Sequence, residues 1–220
     1  MGDDPYAPLK ERAWREVAAI DALLERGEID EDGWHRAMAD LVVPAYLAAQ
    51  TPWGGSGRTG DASGWERSRS LLADAIDRDG TFLDVGCANG YLMETLPGWT
   101  THVIEPYGLE ISPTLAASAQ ERLPAWGDRI WVGNARTWEP SMRFTYIRTG
   151  LEYAPPTGRR DLVAHLLRWC DRLIVGVFNE QANDHVTADL VRDWGFAIAG
   201  DAERPHPESS MRYRCLWIDA

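Results

Sequence analysis

An acid followed by small residues marks the segment of this sequence best suited to chemistry. Residues 82–90 read Phe-Leu-Asp-Val-Gly-Cys-Ala-Asn-Gly, an apolar run that ends in Asp84 and then breaks into a turn before a predicted helix. Gly86 and Ala88 let the backbone approach a ligand closely, and Gly90 permits tight packing where the helix starts. Open α/β sheets bind ligands at the carboxyl ends of their strands. The segment therefore predicts a ligand site.

The residues of this turn disfavour two common ligands. A phosphate loop would end in Gly-Lys-Ser or Gly-Lys-Thr, which this turn lacks. A dinucleotide-binding turn would read Gly-x-Gly-x-x-Gly, whereas Gly86 and Gly90 stand four positions apart. The carboxylate of Asp84 would also repel a pyrophosphate. It favours instead a ligand that carries a positively charged amino group.

A second acid, Glu110, ends the next predicted strand, 24 positions after Gly86. A carboxylate at that point can accept hydrogen bonds from both hydroxyls of a ribose, by the geometry that dinucleotide-binding folds use. A solvent-exposed carboxylate at a strand end is the other interpretation. The presence of the first turn 24 positions earlier favours the ribose-binding interpretation.

These residues resemble the first motif of the class I S-adenosylmethionine-dependent methyltransferases, an apolar strand followed by acid-x-Gly-x-Gly-x-Gly. Ala88 stands at the middle glycine, which is a mild departure from the motif. The resemblance implies S-adenosyl-L-methionine as the cofactor and S-adenosyl-L-homocysteine as the product. It places Asp84, Gly86, Cys87, Ala88 and Gly90 in the cofactor-binding turn.

Two later segments resemble the motifs that hold the nucleoside in this family. The resemblance assigns Glu110 to the ribose and Ile111 to the face of the adenine. Asn134 and Ala135 resemble a Gly-Asp-Ala adenine site in which Asn replaces Asp. An amide oxygen still accepts from the adenine amino group, so the replacement is compatible with the role.

Residues 144–155 resemble the fourth motif, an apolar strand followed by a loop with Leu-Glu-His near the transferred methyl group. The resemblance places Arg148 and Thr149 beside the cofactor and makes Glu152 and Tyr153 the catalytic candidates. Tyr153 stands where many relatives have His, which puts a base there in doubt. Each candidate also has a structural interpretation, since Glu152 can order its loop and Tyr153 can pack. Transfer from a sulfonium needs mainly alignment and exclusion of water, so a strong base is optional.

The elements that must position these residues alternate from residue 63 onward. Ser63 and Glu66 form a predicted capping box for a helix that reaches Asp77. Strands and helices then follow one another, with two late strands near Phe196 and at residues 213–218, which predicts an α/β fold with a mainly parallel sheet covered on both faces. The resemblance implies a three-layer Rossmann-like methyltransferase fold with seven strands in the order 3-2-1-4-5-7-6 and an antiparallel last strand.

The first 60 residues contain no predicted strand. Two helices, at residues 8–26 and 30–50, form a predicted N-terminal helical cap, and the glycine-rich residues 51–60 must be a loop. This loop is either a plain linker or a lid that closes over a ligand. As a lid, it would bring Trp53, Arg58 and the nearby Trp65 into a substrate pocket. We expect two parts, residues 1–60 and a methyltransferase domain at residues 61–220.

The composition of the chain narrows the classes of molecule on which it could act. A net charge of −12 repels polyanions, so nucleic acid is an unfavoured partner and a small, neutral or cationic acceptor fits better. The leading hypothesis is O- or N-methylation of a small molecule. The alternatives are an RNA methyltransferase whose arginines gather into a basic face, and a cofactor-binding protein that has lost catalysis and serves as a partner.

The remaining features predict an ordinary cytoplasmic protein. No apolar run is long enough to span a membrane, and residues 1–5 lack the features of a leader peptide. The three cysteines form no pair and the five histidines show no ligand spacing, so we expect reduced thiols and no metal. The sequence leaves monomer and homodimer equally open.

Overall fold

The computed structural model describes residues 7–220, with side chains from residue 15 onward. Residues 1–5, on which the leader-peptide argument rests, lie outside the described part. The described residues form seven α-helices, which are α1 (Ala7–Glu25), α2 (Glu31–Ala48), α3 (Ala62–Arg69), α4 (Tyr91–Thr95), α5 (Pro113–Arg122), α6 (Arg159–Leu167) and α7 (Val186–Asp193). They also form seven strands, which are β1 (Gly80–Val85), β2 (Ile104–Glu110), β3 (Ile130–Val132), β4 (Phe144–Thr149), β5 (Cys170–Gln181), β6 (Gly200–Pro205) and β7 (Met211–Asp219).

The seven strands form one sheet in the order β3-β2-β1-β4-β5-β7-β6. Strands β1 to β5 pair in parallel, whereas β7 runs antiparallel to both β5 and β6. The predicted fold class and strand order are confirmed. Because β1 lies in the middle of the parallel part, the turn that follows it has a strand end on either side.

Neighbouring residues of the central strands point to opposite faces of the sheet, as the period of a strand requires. On one face, Phe82 of β1 packs with Trp65 of α3 and with a short 3-10 helix at Ser70–Ala75. On the other, Leu83 packs with Leu162 of α6. The sheet is therefore buried between two layers of helices.

Two predicted boundaries in the first half of the domain are wrong. Asp61, not Ser63, caps α3, because its carboxylate accepts from the backbone N–H of Gly64 at 2.7 Å while the Ser63 hydroxyl donates to that carboxylate. The helix does not reach Asp77 either, since the α-helical part ends at Arg69 and a 3-10 turn follows.

The first of the two late strands was also predicted too early in the chain. Phe196 lies in the turn after α7, with its backbone N–H bonded to the carbonyl of Val191, and Gly195 at φ +89° turns the chain after the helix. Strand β6 starts at Gly200, which pairs with Trp217 of β7. Pairing with β7 sets this boundary. Sequence periodicity does not reveal which residues pair.

Helices α1 and α2 precede the sheet and lie next to each other. The indole Nε1 of Trp34 on α2 donates to the carboxylate of Asp21 on α1 at 2.7 Å. Helix α2 begins after Asp30, which accepts from Gly33, and continues through Pro44 to Ala48. No helix in the described part of the chain has the length and apolar character needed to cross a bilayer.

Candidate functional site

A cavity of about 260 Å³ lies at the carboxyl ends of β1, β2 and β4, where the loops that follow these strands meet. Parallel strands bring their carboxyl ends to one edge of the sheet, which is why residues far apart in sequence gather there. Twelve of the predicted site residues line this cavity, namely Trp65, Asp84, Gly86, Cys87, Ala88, Glu110, Ile111, Asn134, Ala135, Arg148, Glu152 and Tyr153.

Four of the predicted site residues do not line the cavity. The first two are Gly90 and Thr149. Gly90, at φ +75°, starts α4 and packs against Leu123, so its role is in the turn itself. Thr149 is fully buried and its hydroxyl donates to the carbonyl of Gly150. Both residues therefore belong to the turns beside the cavity and not to its wall.

The other two, Trp53 and Arg58, hold the glycine-rich segment in place. The indole of Trp53 donates to the carbonyl of Gly60 at 2.8 Å, and the guanidinium of Arg58 donates to the hydroxyl of Tyr213 at 2.8 Å. The structure therefore places both side chains outside the cavity, while Trp65 lies on its wall.

The glycine-rich segment is folded against the first turn. Ser56 donates its hydroxyl to the side-chain oxygen of Asn89 at 2.6 Å, and the amide of Asn89 donates to the carbonyl of Pro52 at 2.9 Å. A Cβ on Gly55 would lie 2.5 Å from the Asn89 amide nitrogen. Ser56 and Gly57 thereby close one side of the cavity.

The turn after β1 depends on a glycine at position 86. Gly86 has φ +71°, and a Cβ there would lie 2.6 Å from the ring of Tyr153. The backbone N–H groups of Gly86 and Cys87 both donate to the carbonyl of Leu109, which ties the turn to β2. The turn is thus held rigid with its backbone exposed to the cavity.

Glu110 sits at the end of β2 and is 5% exposed. Its two carboxylate oxygens accept from the N–H groups of Ala88 and Ser112, each at 2.9 Å. Burial raises its pKa, and these hydrogen bonds act in the opposite direction. Because a carboxylate offers about four acceptor positions, lone pairs remain to accept from a ligand in the cavity.

Asp84 and Arg148 form a buried ion pair on neighbouring strands. The two residues are paired in the register of β1 and β4, and Nη1 of Arg148 lies 3.2 Å from the Asp84 carboxylate. Burial raises the pKa of Asp84 to about 6, although Arg148 acts in the opposite direction. Nη2 of Arg148 makes no hydrogen bond to the described residues. The pair therefore offers one carboxylate oxygen and one guanidinium nitrogen to a ligand.

Tyr153 lies between the ion pair and the first turn. Its hydroxyl accepts from Arg148 at 3.0 Å, and the guanidinium lies 5.6 Å from its ring centre. Burial raises the pKa of the Tyr153 hydroxyl. A hydroxyl that stays protonated near neutral pH is a poor base, so Glu152 is the better proton acceptor of the two predicted candidates.

The loop after β3 forms the opposite end of the cavity. The side-chain oxygen of Asn134 accepts from the N–H of Arg136 at 3.0 Å, which leaves one lone pair for a ligand. Ile111 is 38% exposed and lies next to this loop on the cavity wall. A polar edge beside an exposed apolar side chain suits a flat heterocycle.

Helix α2, part of the predicted helical cap, covers the cavity, although the sequence did not predict which of its residues line the wall. Seven of its residues line the wall opposite the sheet, namely Trp34, His35, Met38, Ala39, Val42, Val43 and Tyr46. Arg136 ties the helix to the loop after β3 through a 3.0 Å hydrogen bond to Glu31. The apolar spacing of α2 predicts a buried face, but it does not reveal that a ligand site lies beneath it. Arg69 on α3 also lines the cavity and was missed.

Solved structures with the same strand arrangement include known enzymes. The 1,6-didemethyltoxoflavin-N1-methyltransferase of Burkholderia thailandensis has a TM-score of 0.62 at 16% identity, over 87% of this chain and 90% of that chain. The magnesium protoporphyrin IX methyltransferase of Synechocystis PCC 6803, with S-adenosylmethionine bound, has a TM-score of 0.56 at 18% identity, over 91% and 97%. This is the class I methyltransferase fold.

The methyltransferase fold also carries other chemistry. The [4+2]-cyclase SpnF matches the chain with a TM-score of 0.57 at 14% identity, over 83% of this chain and 93% of that chain. No protein-family model and no curated protein sequence matches the chain. The reaction must therefore be argued from the residues of the site.

Proposed function

We propose that this protein is an S-adenosylmethionine-dependent methyltransferase that acts on an oxygen or nitrogen of a small molecule. The observation that carries the proposal is the position of Glu110. Its buried carboxylate holds the first turn through Ala88 and keeps free lone pairs toward the cavity. A carboxylate placed this way suits the two hydroxyls of a ribose.

The rest of the cavity fits the other groups of the cofactor. Asn134 and Ile111 would hold the adenine through one lone pair and one apolar side chain. The ion pair of Asp84 and Arg148 would hold the amino acid end, with the carboxylate toward the ammonium group and the guanidinium toward the carboxylate. Each charge of the zwitterion then meets the opposite charge.

Positioning is the main task of the residues around the reaction. When bound, S-adenosylmethionine would supply a methyl carbon attached to a positively charged sulfur, so that the lone pair of an acceptor atom could form a bond to this carbon while the carbon–sulfur bond opposite it breaks and leaves a neutral thioether. The apolar residues of α2 exclude water from this space, and Glu152 is available for a proton that an acceptor hydroxyl or ammonium loses. Product S-adenosylhomocysteine and the methylated acceptor then leave the site.

Of the two alternatives, only the RNA methyltransferase fits the site less well. An RNA methyltransferase would need a basic face, whereas the chain carries a net charge of −12 and α2 covers the site. A non-catalytic cofactor-binding partner protein would keep the same residues on the sheet side of the cavity. It would differ only in the absence of turnover. The covered cavity favours a small acceptor over a nucleic acid.

Calorimetry tests the cofactor part of the proposal, and transfer of a labelled methyl group from S-adenosylmethionine to an acceptor tests the reaction itself. S-adenosylmethionine and S-adenosylhomocysteine should each release binding heat, and reduced nicotinamide adenine dinucleotide should release none. Binding should also raise the melting temperature, because a ligand at 100 times its Kd stabilises the folded state by about 2.7 kcal/mol. Binding of the dinucleotide alone would overturn the cofactor assignment.

A further inference from the structure

Arg69 is a cation of the cavity wall that forms no salt bridge within 4.0 Å to the residues the structure describes, although the charges of Glu152 and Asp84 act on it at longer range. It is the last residue of α3 and lines the cavity beside Trp65, whose ring lies 5.3 Å from the guanidinium. Its hydrogen bond is a long one, from Nη1 to the carbonyl of Ser68 at 3.4 Å. Most of the five N–H donors of this guanidinium are therefore free for a ligand.

The surroundings of Arg69 disfavour an unpaired charge. Burial, followed by the charges of the nearby Arg148 and Arg58, lowers its pKa to about 10, while Tyr153 and Glu152 act in the opposite direction. Arg69 is still a cation at neutral pH. A partly buried cation without a salt bridge is unfavourable, and a ligand anion that forms a bidentate pair with it would offset that cost.

The cofactor does not need Arg69 in the arrangement proposed above. Its amino acid end would already meet Asp84 and Arg148 on the sheet side of the cavity. Arg69 lies on α3 and lines the same cavity as the apolar side chains of Met38 and Val42 from α2. The combination of one arginine with an apolar wall suits a molecule that has an acidic group and an apolar body.

We propose that the methyl acceptor is a small carboxylic acid with an apolar body, and that Arg69 binds its carboxylate. This inference rests on the proposed function, because it assumes that the cofactor occupies the sheet side. It revises the expectation from net charge, which favoured a neutral or cationic acceptor. The total of −12 describes the whole chain, whereas recognition depends on the charge inside the cavity.

Matched acid and amide probes test this assignment in protein saturated with S-adenosylhomocysteine. Benzoate, cinnamate and indole-3-acetate are each compared with the corresponding neutral amide by calorimetry. We expect at least one acid to bind about tenfold or more tightly than its amide, the size of effect that one charged hydrogen-bonded pair gives. Arg69→Leu should abolish this preference. Arg67→Leu, an exposed arginine on the same helix and outside the cavity, should retain it.

Arg69→Lys serves as a second variant that keeps the charge and should retain part of the preference. Equal binding of every acid and amide by the unsubstituted protein, or no binding of any acid, would overturn the inference. So would a loss of S-adenosylhomocysteine affinity in Arg69→Leu with unchanged affinity for 5′-methylthioadenosine, which lacks the amino acid end, because Arg69 would then hold the cofactor. Failure of the unsubstituted protein to bind S-adenosylhomocysteine would instead contradict the proposed function, before any acid is added.

Discussion

At the scale of single residues, Glu110 connects the fold to the proposed chemistry. The N–H groups of Ala88 and Ser112 hold its carboxylate at the end of β2. These bonds fix both the direction of its free lone pairs and the turn after β1. A change at this residue therefore affects ligand binding before it affects the hydrophobic core.

Glu110→Gln should weaken binding of S-adenosylhomocysteine by about 1–3 kcal/mol, because an amide nitrogen cannot accept the hydrogen bonds that a carboxylate oxygen accepts. Calorimetry measures the change. Glu105→Gln, an exposed residue of the same strand, is the matched control and should leave the affinity unchanged. Unaltered affinity in a folded Glu110→Gln protein would refute the ribose role.

The pKa of Asp84 predicts how cofactor binding depends on pH. Burial raises this pKa to about 6, and only the ionised carboxylate attracts the ammonium group of the ligand. Affinity for S-adenosylhomocysteine should therefore be full above pH 6 and fall as the pH drops below it, by up to about tenfold per unit. Titration calorimetry between pH 5 and 7.5 measures this slope.

Asp84→Asn provides the comparison for this pH profile, since it keeps the shape and removes the titration. The variant should bind less tightly at pH 7 and lose most of the slope near pH 6. Glu110, whose pKa burial also raises, remains in the variant and accounts for any smaller slope that persists. The same slope in both proteins would show that Asp84 does not face the ligand.

At the scale of elements, the glycine-rich segment joins the helical cap to the cofactor turn. Tyr46 of α2 lies against Gly57, where a Cβ would come 2.1 Å from the tyrosine hydroxyl. Ser56 bonds to Asn89 one residue before Gly90. The segment therefore positions the end of α2 over the first turn. This role differs from both a plain linker and a lid.

Gly57→Ala should separate these two elements. Both Gly57 (φ +78°) and Gly60 (φ +99°) have left-handed backbone, so alanine at either costs roughly 1–2 kcal/mol of stability. Only Gly57→Ala also displaces Tyr46, at a further cost of about 1–3 kcal/mol, because a Cβ on Gly60 meets nothing within 4 Å. Urea unfolding compares the two variants. Equal losses would mean that Tyr46 is free to move away.

At the scale of the whole molecule, the net charge of −12 predicts weak interaction with nucleic acid. The protein should pass through a heparin column at about 0.15 M salt, where screening leaves only short-range attraction. A filter-binding assay with mixed transfer RNA should likewise show no retention. Retention that higher salt abolishes would favour the RNA methyltransferase alternative over a small-molecule acceptor.

Local signals predict some element boundaries well. The pair Ser112-Pro113 predicts a helix that starts there, and α5 does begin at Pro113 after the capping Ser112, because a cap and a first-turn proline act within four residues. Strand β6 was misplaced since its position depends on pairing with β7. The cap of α3 was missed because Asp61 and Ser63 both suit that role by residue type, and only the backbone conformation selects one.

The residue pattern alone predicted a mainly parallel sheet and placed Asp84 and Glu110 on its carboxyl edge, whereas the strand order came from the resemblance to a known family. Parallel strands place their carboxyl ends at one edge, so motifs that end strands are predictably neighbours. The folded structure alone shows that Asp84 is paired with Arg148, that α2 lies over the cavity and that Arg69 lies on its wall without a salt bridge to the described residues. These features arise from packing between segments far apart in the chain, and spacing along a sequence does not encode which faces meet.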